Sequence, residues 1–249
     1  MNLLNKRLTA ITVALVLVIS LFAGCGSSEK NTHDSGSAEA SAEEESRINQ
    51  LKEDAENGLF ILINKENSVA EDYCADDLSS IKYYAEDRDA QWRYMRSEAA
   101  DHFHEMVEAA RAEDIDFVMT TAYRSYSFQS VLWENAIQRY GSEDAANTFV
   151  AKPGQSEHQS GLAVDVSSAE NDYQLNQDFA NTEAGRWIAA HAAEYGFILR
   201  YPADKTDITG YSYEPWHLRY VGKTAAGEIN EQGLVLEEYI EQLESDGII

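Results

Sequence analysis

The chain holds two cysteines, three prolines and only 19 lysines and arginines against 44 aspartates and glutamates in 249 residues. The shortage of positive charge, a formal net charge of −25, argues against nucleic-acid binding, which needs basic patches. It also argues against direct adsorption to an anionic membrane. Many of the acids stand before residue 47 and in the C-terminal segment, so the excess reads as a solvated face that aids solubility. Two cysteines, Cys25 and Cys74, make no disulfide framework. Cys74 is expected as a single, partly buried structural thiol. The fold must therefore be held by its core, and about 200 residues after the N-terminal segment suffice for one domain.

The long apolar run is Leu8 to Ala23, interrupted by Thr9, Thr12 and Ser20. Lys6 and Arg7 precede it and small residues close it, which describes a secretory signal over residues 1–24. Cys25 directly after Ala23-Gly24 resembles a bacterial lipobox, with Phe22 less usual than leucine at its position. On that reading Cys25 is lipidated and becomes the first mature residue. An uncleaved membrane anchor is the alternative, and either one leaves the body outside the cytoplasm, on a membrane. Residues 25–46 read as a flexible tether of Gly, Ser, Ala, Glu and Asn with no apolar periodicity. About twenty such residues reach roughly 25 Å. The domain proper is assigned to 47–249.

Two segments carry chemistry. Ser156-Glu157-His158-Gln159-Ser160-Gly161-Leu162-Ala163-Val164-Asp165 is followed about fifty residues later by Glu214-Pro215-Trp216-His217. Leu162 to Val166 reads as a short buried strand, and an acid inside it is costly unless paired or bound to a metal. Gly161 permits a tight turn from His158 into that strand. Two imidazoles and an aspartate suit one catalytic zinc with a position left for water, so His158, Asp165 and His217 are the candidate ligands and one Zn2+ per chain is expected. Pro215 stiffens the second segment and disfavours helix at Glu214. Glu214 is the candidate base. Trp216 is expected in the core. His33, His102, His104 and His191 read as structural or solvent-facing.

These motifs resemble the zinc D-alanyl-D-alanine carboxypeptidases of the VanY type. The resemblance rests on S-x-H-x-x-G-x-A-x-D and E-P-W-H. Ala122-Tyr123-Arg124-Ser125 with Gln129, and Tyr195 to Pro202, support it, and it runs from about Leu59 to Gly222. It implies an α+β single domain with a small antiparallel sheet flanked by helices, as in the Hedgehog signalling domain. It implies a substrate-contacting Arg124, either stabilising the oxyanion or clamping the peptide's terminal carboxylate. Ser125, Gln129, Ser156, Tyr211 and Tyr213 are candidate substrate contacts. Each serves equally well as local hydrogen bonding or packing. Arg200, Lys205 and Arg219 are expected, with Arg124, to lend positive potential near the site.

The pattern along the chain predicts helices over 47–55, 97–112, 128–140, 142–150, 182–195 and 234–243. Strands are expected at 59–64, 117–122, 162–166, 197–201 and 216–221. Ala99, Phe103, Met106, Val107 and Ala110 fall on one helical face, with Ser97 as N-cap. Polar residues 170–178 are expected as a loop rimming a cleft.

The implied activity is zinc-assisted removal of the terminal D-alanine from peptidoglycan stem peptides. Glu214 would serve as base and then acid. An L,D-carboxypeptidase acting on tetrapeptide stems is the alternative within the family. A non-catalytic zinc module binding wall peptides is the alternative outside it, disfavoured by an intact Glu214. The chain is expected to work as a monomer.

Overall fold

The computed structural model describes residues 35–249, with side chains from residue 39 on. The secretory segment and Cys25 lie outside the described residues. Ser41–Ile249 form one compact unit, which carries the sheets and the candidate site.

Helices are α1 (Ser35–Glu56), α2 (Ser97–Ala112), α3 (Tyr126–Tyr140), α4 (Glu143–Ala146), α5 (Glu183–His191), α6 (Thr206–Thr209), α7 (Lys223–Gln232) and α8 (Leu236–Ser245). Strands are β1 (Leu78–Ser80), β2 (Tyr94–Arg96), β3 (Val118–Thr121), β4 (Ala163–Ser167), β5 (Phe197–Leu199) and β6 (His217–Tyr220). β1 and β2 form a two-stranded ribbon, and the other four form one sheet in the order β3-β4-β6-β5. Every neighbouring pair is antiparallel. This is the mixed fold of helices around small antiparallel sheets that the resemblance implies.

The central strand β4 is apolar except for Asp165 and Ser167, whose hydroxyl donates to Gln174 O. All five residues of β4 are buried. α2 lays Ala99, Phe103, Met106, Val107 and Ala110 into the core, all at 0% exposure. Phe103 meets Phe117 and Phe197 edge-on, each at 6.3 Å between ring centres. Burying one such phenylalanine contributes about 1.5–3 kcal/mol. A second, smaller cluster of Trp133, Ala136 and Ala146 joins α3 to α4.

The register decides the site. Asp165 pairs with Thr121 of β3 on one side and with His217 of β6 on the other. Cross-strand partners stand close enough for their side chains to interact. β3 then delivers Tyr123 and Arg124 at its end. A single 3-10 turn, Glu157–Ser160, precedes β4 and ends at Gly161 with φ +73°. A Cβ at Gly161 would lie 2.8 Å from Leu78 Cδ2, so only glycine fits where the chain turns from His158 into the strand.

Several local expectations differ. α1 begins at Ser35 rather than near residue 47; its first turns are Ala- and Glu-rich, good helix formers that stay exposed from 39 to 46. The run 59–64 is not a strand. Leu59, Phe60 and Ile63 are buried, but the carbonyls of Leu59 and Ile61 accept from Arg219 Nη2, both at 2.8 Å, instead of from a neighbouring strand. Ser97 does not cap α2: its hydroxyl donates to Asp77 O at 2.7 Å. The 142–150 helix shortens to the single turn of α4. The 182–195 helix is α5 followed by a 3-10 turn, Ala192–Tyr195, which stops at Gly196 as expected. Cys74 is exposed rather than partly buried, in the loop before β1, where its sulfur accepts from Tyr123 OH at 3.3 Å.

Candidate metal centre and cleft

The turn before β4, the middle of β4 and the start of β6 bring His158, Asp165 and His217 together. One ligand atom from each lies within 4.8 Å of the others, and all three residues are buried. His158 Nε2 is 3.3 Å from Asp165 Oδ2, and His217 Nδ1 is 3.0 Å from Asp165 Oδ1. The two imidazoles stand edge to face, 4.9 Å apart. Among the described residues no other group of three His, Cys, Asp or Glu side chains is so placed. His102 pairs with Glu105 and His191 with Glu194. Buried His104 accepts from Lys82 N at 3.0 Å through Nε2.

The donor chemistry fits a zinc-type ion. His158 Nδ1 is held by Ala122 O at 2.6 Å, which turns Nε2 toward Asp165. Burial, aided by Arg124, lowers the His158 pKa to about 4, so this imidazole is neutral and keeps a lone pair. Burial works against the Asp165 charge, but the Arg124 guanidinium and the hydrogen bond with His217 overcome it and hold its carboxyl well below the usual range. Burial likewise opposes a charged His217, yet hydrogen bonding to Asp165 and Glu157 raises its pKa to about 9. A neutral histidine, an ionised aspartate and a second histidine facing one point form a nitrogen–oxygen set of the kind zinc takes.

The three residues floor a cleft of about 370 Å³, lined also by Arg124, Gln129, Ser156, Tyr201, Tyr211, Glu214 and Trp216. Glu214 Oε2 is 3.9 Å from His217 Nδ1, and its side chain is 17% exposed. Burial lifts its pKa to about 7, with His217 pulling down and Asp165 pushing up. Arg124 donates from Nη2 to Asp165 Oδ2 at 2.6 Å. Gln129 donates to Ala151 O at 2.8 Å, while its Oε1 is buried without a partner. Tyr211 packs its ring 4.9 Å from that of Tyr201, which in turn lies 4.8 Å from His217.

Five residues stand away from the cleft surface where they were expected. Ser125 does not line the cleft; its hydroxyl accepts from Phe128 N and caps α3. Tyr213 lines a separate cavity with Pro215 and α5 residues. Arg200 and Arg219 are 0% exposed and committed to Glu157. Lys205 pairs with Glu238 at 2.9 Å. Of the four cations, Arg124 is the one on the cleft wall.

Sequence reading missed the opposite wall. Leu132, Ala136 and Tyr140 of α3, with Phe149 and Val150, complete the cleft. Their spacing at 132, 136 and 140 marks one stripe of α3, which is the signal that could have found them. Leu175 joins them from the polar stretch expected at the rim. Glu157 was missed as well, although an acid beside a ligand in a buried turn calls for a partner.

Residues 92–223 match the family model described as VanY: D-alanyl-D-alanine carboxypeptidase. The chain is 44% identical over 187 residues to a putative carboxypeptidase, YodJ, of Bacillus subtilis (strain 168), covering 74% of this chain and 68% of that protein. Among solved structures, the LdcB LD-carboxypeptidase is similar with a TM-score of 0.69 and 45% identity, over 72% of this chain and 84% of that one. A mutant of the vancomycin resistance D,D-pentapeptidase VanY in complex with Zn(II) gives a TM-score of 0.61 and 34% identity, over 73% and 98%.

Proposed function

Because the chain belongs to the VanY family of D-alanyl-D-alanine carboxypeptidases, we propose that it is a zinc-dependent enzyme removing the terminal D-alanine from peptidoglycan stem peptides. The observation that carries this reading is the convergence of His158, Asp165 and His217 at the floor of one cleft, with Glu214 on its wall. The zinc complex of the VanY relative supports the choice of metal.

His158 through Nε2, Asp165 through a carboxylate oxygen and His217 through Nδ1 would hold the ion. When bound, zinc supplies a Lewis acid that lowers the pKa of a water and polarises a carbonyl. The protein's own groups do the rest. Glu214, with its pKa lifted to about 7, takes the proton of the attacking water and returns it to the leaving amine. Arg124 lines the cleft beside Asp165, where a guanidinium can counter charge on the scissile carbonyl oxygen or hold the peptide's terminal carboxylate. Gln129, Ser156 and Tyr211 border the peptide's path.

A second reading within the family, cleavage of tetrapeptide stems between an L-configured residue and D-alanine, is supported by the 45% identity to the LdcB LD-carboxypeptidase. Purified protein incubated with pentapeptide and with tetrapeptide muropeptides, with zinc and with chelator, separates the two by mass spectrometry. Chelator-sensitive loss of D-alanine from the pentapeptide supports the first reading, and loss only from the tetrapeptide supports the second. No loss from either leaves a wall-peptide-binding module. We further propose that the enzyme is held at the outer membrane face through lipidated Cys25. Labelled palmitate should enter the wild type and not a Cys25→Ala variant.

A further inference from the structure

Beside the three candidate ligands lies a cluster of fully buried charge. Glu157, Arg200 and Arg219 all have side chains at 0% exposure. The two oxygens of Glu157 are divided. Oε1 accepts from Arg200 Nε and from Arg219 Nη1, each at 2.8 Å. Oε2 accepts from neither, and stands 3.5 Å from His217 Nε2. Both of these atoms are buried and neither has a hydrogen-bond partner, so each is the nearest group that could satisfy the other. Arg200 also holds Glu237 of α8 through two bonds of 2.8 and 2.6 Å. Arg219 gives its remaining donors to backbone carbonyls.

The charges balance without the histidine: two guanidiniums face two carboxylates. The cluster does not need His217. His217 does need an acceptor, because its Nδ1 faces Asp165 and a ligating imidazole must carry its proton on the other nitrogen. Metal-binding histidines commonly donate that N–H to a carboxylate, which fixes tautomer and ring orientation.

We propose that Glu157 is a positioning residue for the metal centre: its Oε2 accepts the Nε2–H of His217 and leaves Nδ1 free for the ion, while Arg200 and Arg219 lock the carboxylate in place. The inference rests on the zinc reading above.

The test compares Glu157→Gln with Glu237→Gln in the full chain. Zinc affinity is measured by chelator competition, and the fold by circular dichroism and thermal melting. Glu157→Gln should bind zinc about ten- to hundredfold more weakly. Glu237→Gln breaks an ion pair of the same cluster without touching His217, so it should lower the melting temperature and leave zinc affinity unchanged. Equal zinc affinity for Glu157→Gln and wild type overturns the proposal and leaves the zinc reading intact. Equal weakening by both variants also overturns it, since the cluster would then act only on the fold. A wild type that binds no zinc removes both readings. Should Glu157→Gln fail to fold, nitrogen-15 spectra of zinc-loaded wild type decide. The His217 proton is expected on Nε2, and a proton on Nδ1 overturns the proposal.

Discussion

Glu157 and Glu214 are glutamates on opposite sides of one imidazole, 3.5 Å from His217 Nε2 and 3.9 Å from His217 Nδ1. Burial raises both. For Glu214 nothing outweighs it, and the pKa reaches about 7. For Glu157 two guanidiniums outweigh it, and the carboxyl is driven far below the usual range. One glutamate can therefore exchange a proton near neutral pH, and the other is a permanent anion. Residue type does not set the role here; the presence or absence of an arginine within 3 Å does.

The largest effect is expected from removing the exchangeable carboxyl. Glu214→Gln should lower kcat/KM about 10²- to 10⁴-fold while zinc content, measured by metal analysis, stays at the wild-type level. Loss of zinc together with activity would move Glu214 out of the base role. The next effect is on stability. Arg219→Met leaves Glu157 facing Arg200 alone and uncaps the carbonyls of Leu59 and Ile61, and breaking such a buried pair costs about 3–5 kcal/mol. Urea unfolding should show the loss. A variant as stable as wild type would mean that the pair is not worth its burial.

Two pH responses sharpen the contrast. The folded-state pKa of Glu157 is depressed, so its stabilisation is fully present above the unfolded value of about 4.3 and fades as pH falls toward the folded pKa. Melting temperature should drop on acidification, and less so in Glu157→Gln. His217 runs the other way. Its pKa is raised to about 9, and zinc must displace that proton. Apparent zinc affinity should rise about tenfold per pH unit from this group and level off near pH 9. A flat profile below pH 8 would show that no proton is displaced. The smallest effect is expected from Lys205→Ala. Its pair with Glu238 is partly exposed, so the change should cost under about 1 kcal/mol and leave D-alanine release untouched.

The clustering of the candidate metal triad was legible because each member sits in a local pattern that makes it costly or odd: an aspartate inside an apolar strand, a histidine before a glycine turn, a histidine after a proline-stiffened turn. α2 was legible to the residue because its apolar spacing is regular. The segment 59–64 misled because a short apolar run fits a strand and a buried irregular stretch equally. What separates them is Arg219, distant in sequence, supplying the hydrogen bonds a strand partner would give. The same distance hid the fate of Arg200, which looked like a site cation until its partners on the 157–160 turn and α8 were in view. Ser125 and Tyr213 were adjacent to the right motifs and point elsewhere for local reasons, a helix cap and a neighbouring cavity. α7 went unread, since its buried face, Ala225, Ala226 and Ile229, is small and weakly patterned.

The central claim is that His158, Asp165 and His217 hold one zinc whose presence is required for hydrolysis beside Glu214. Chelator-stripped protein titrated with zinc against a D-Ala-D-Ala-ended pentapeptide tests it directly. D-alanine release should be absent at first and should saturate at one zinc per chain. Release that persists without metal, or that never appears at any zinc concentration, would contradict the account.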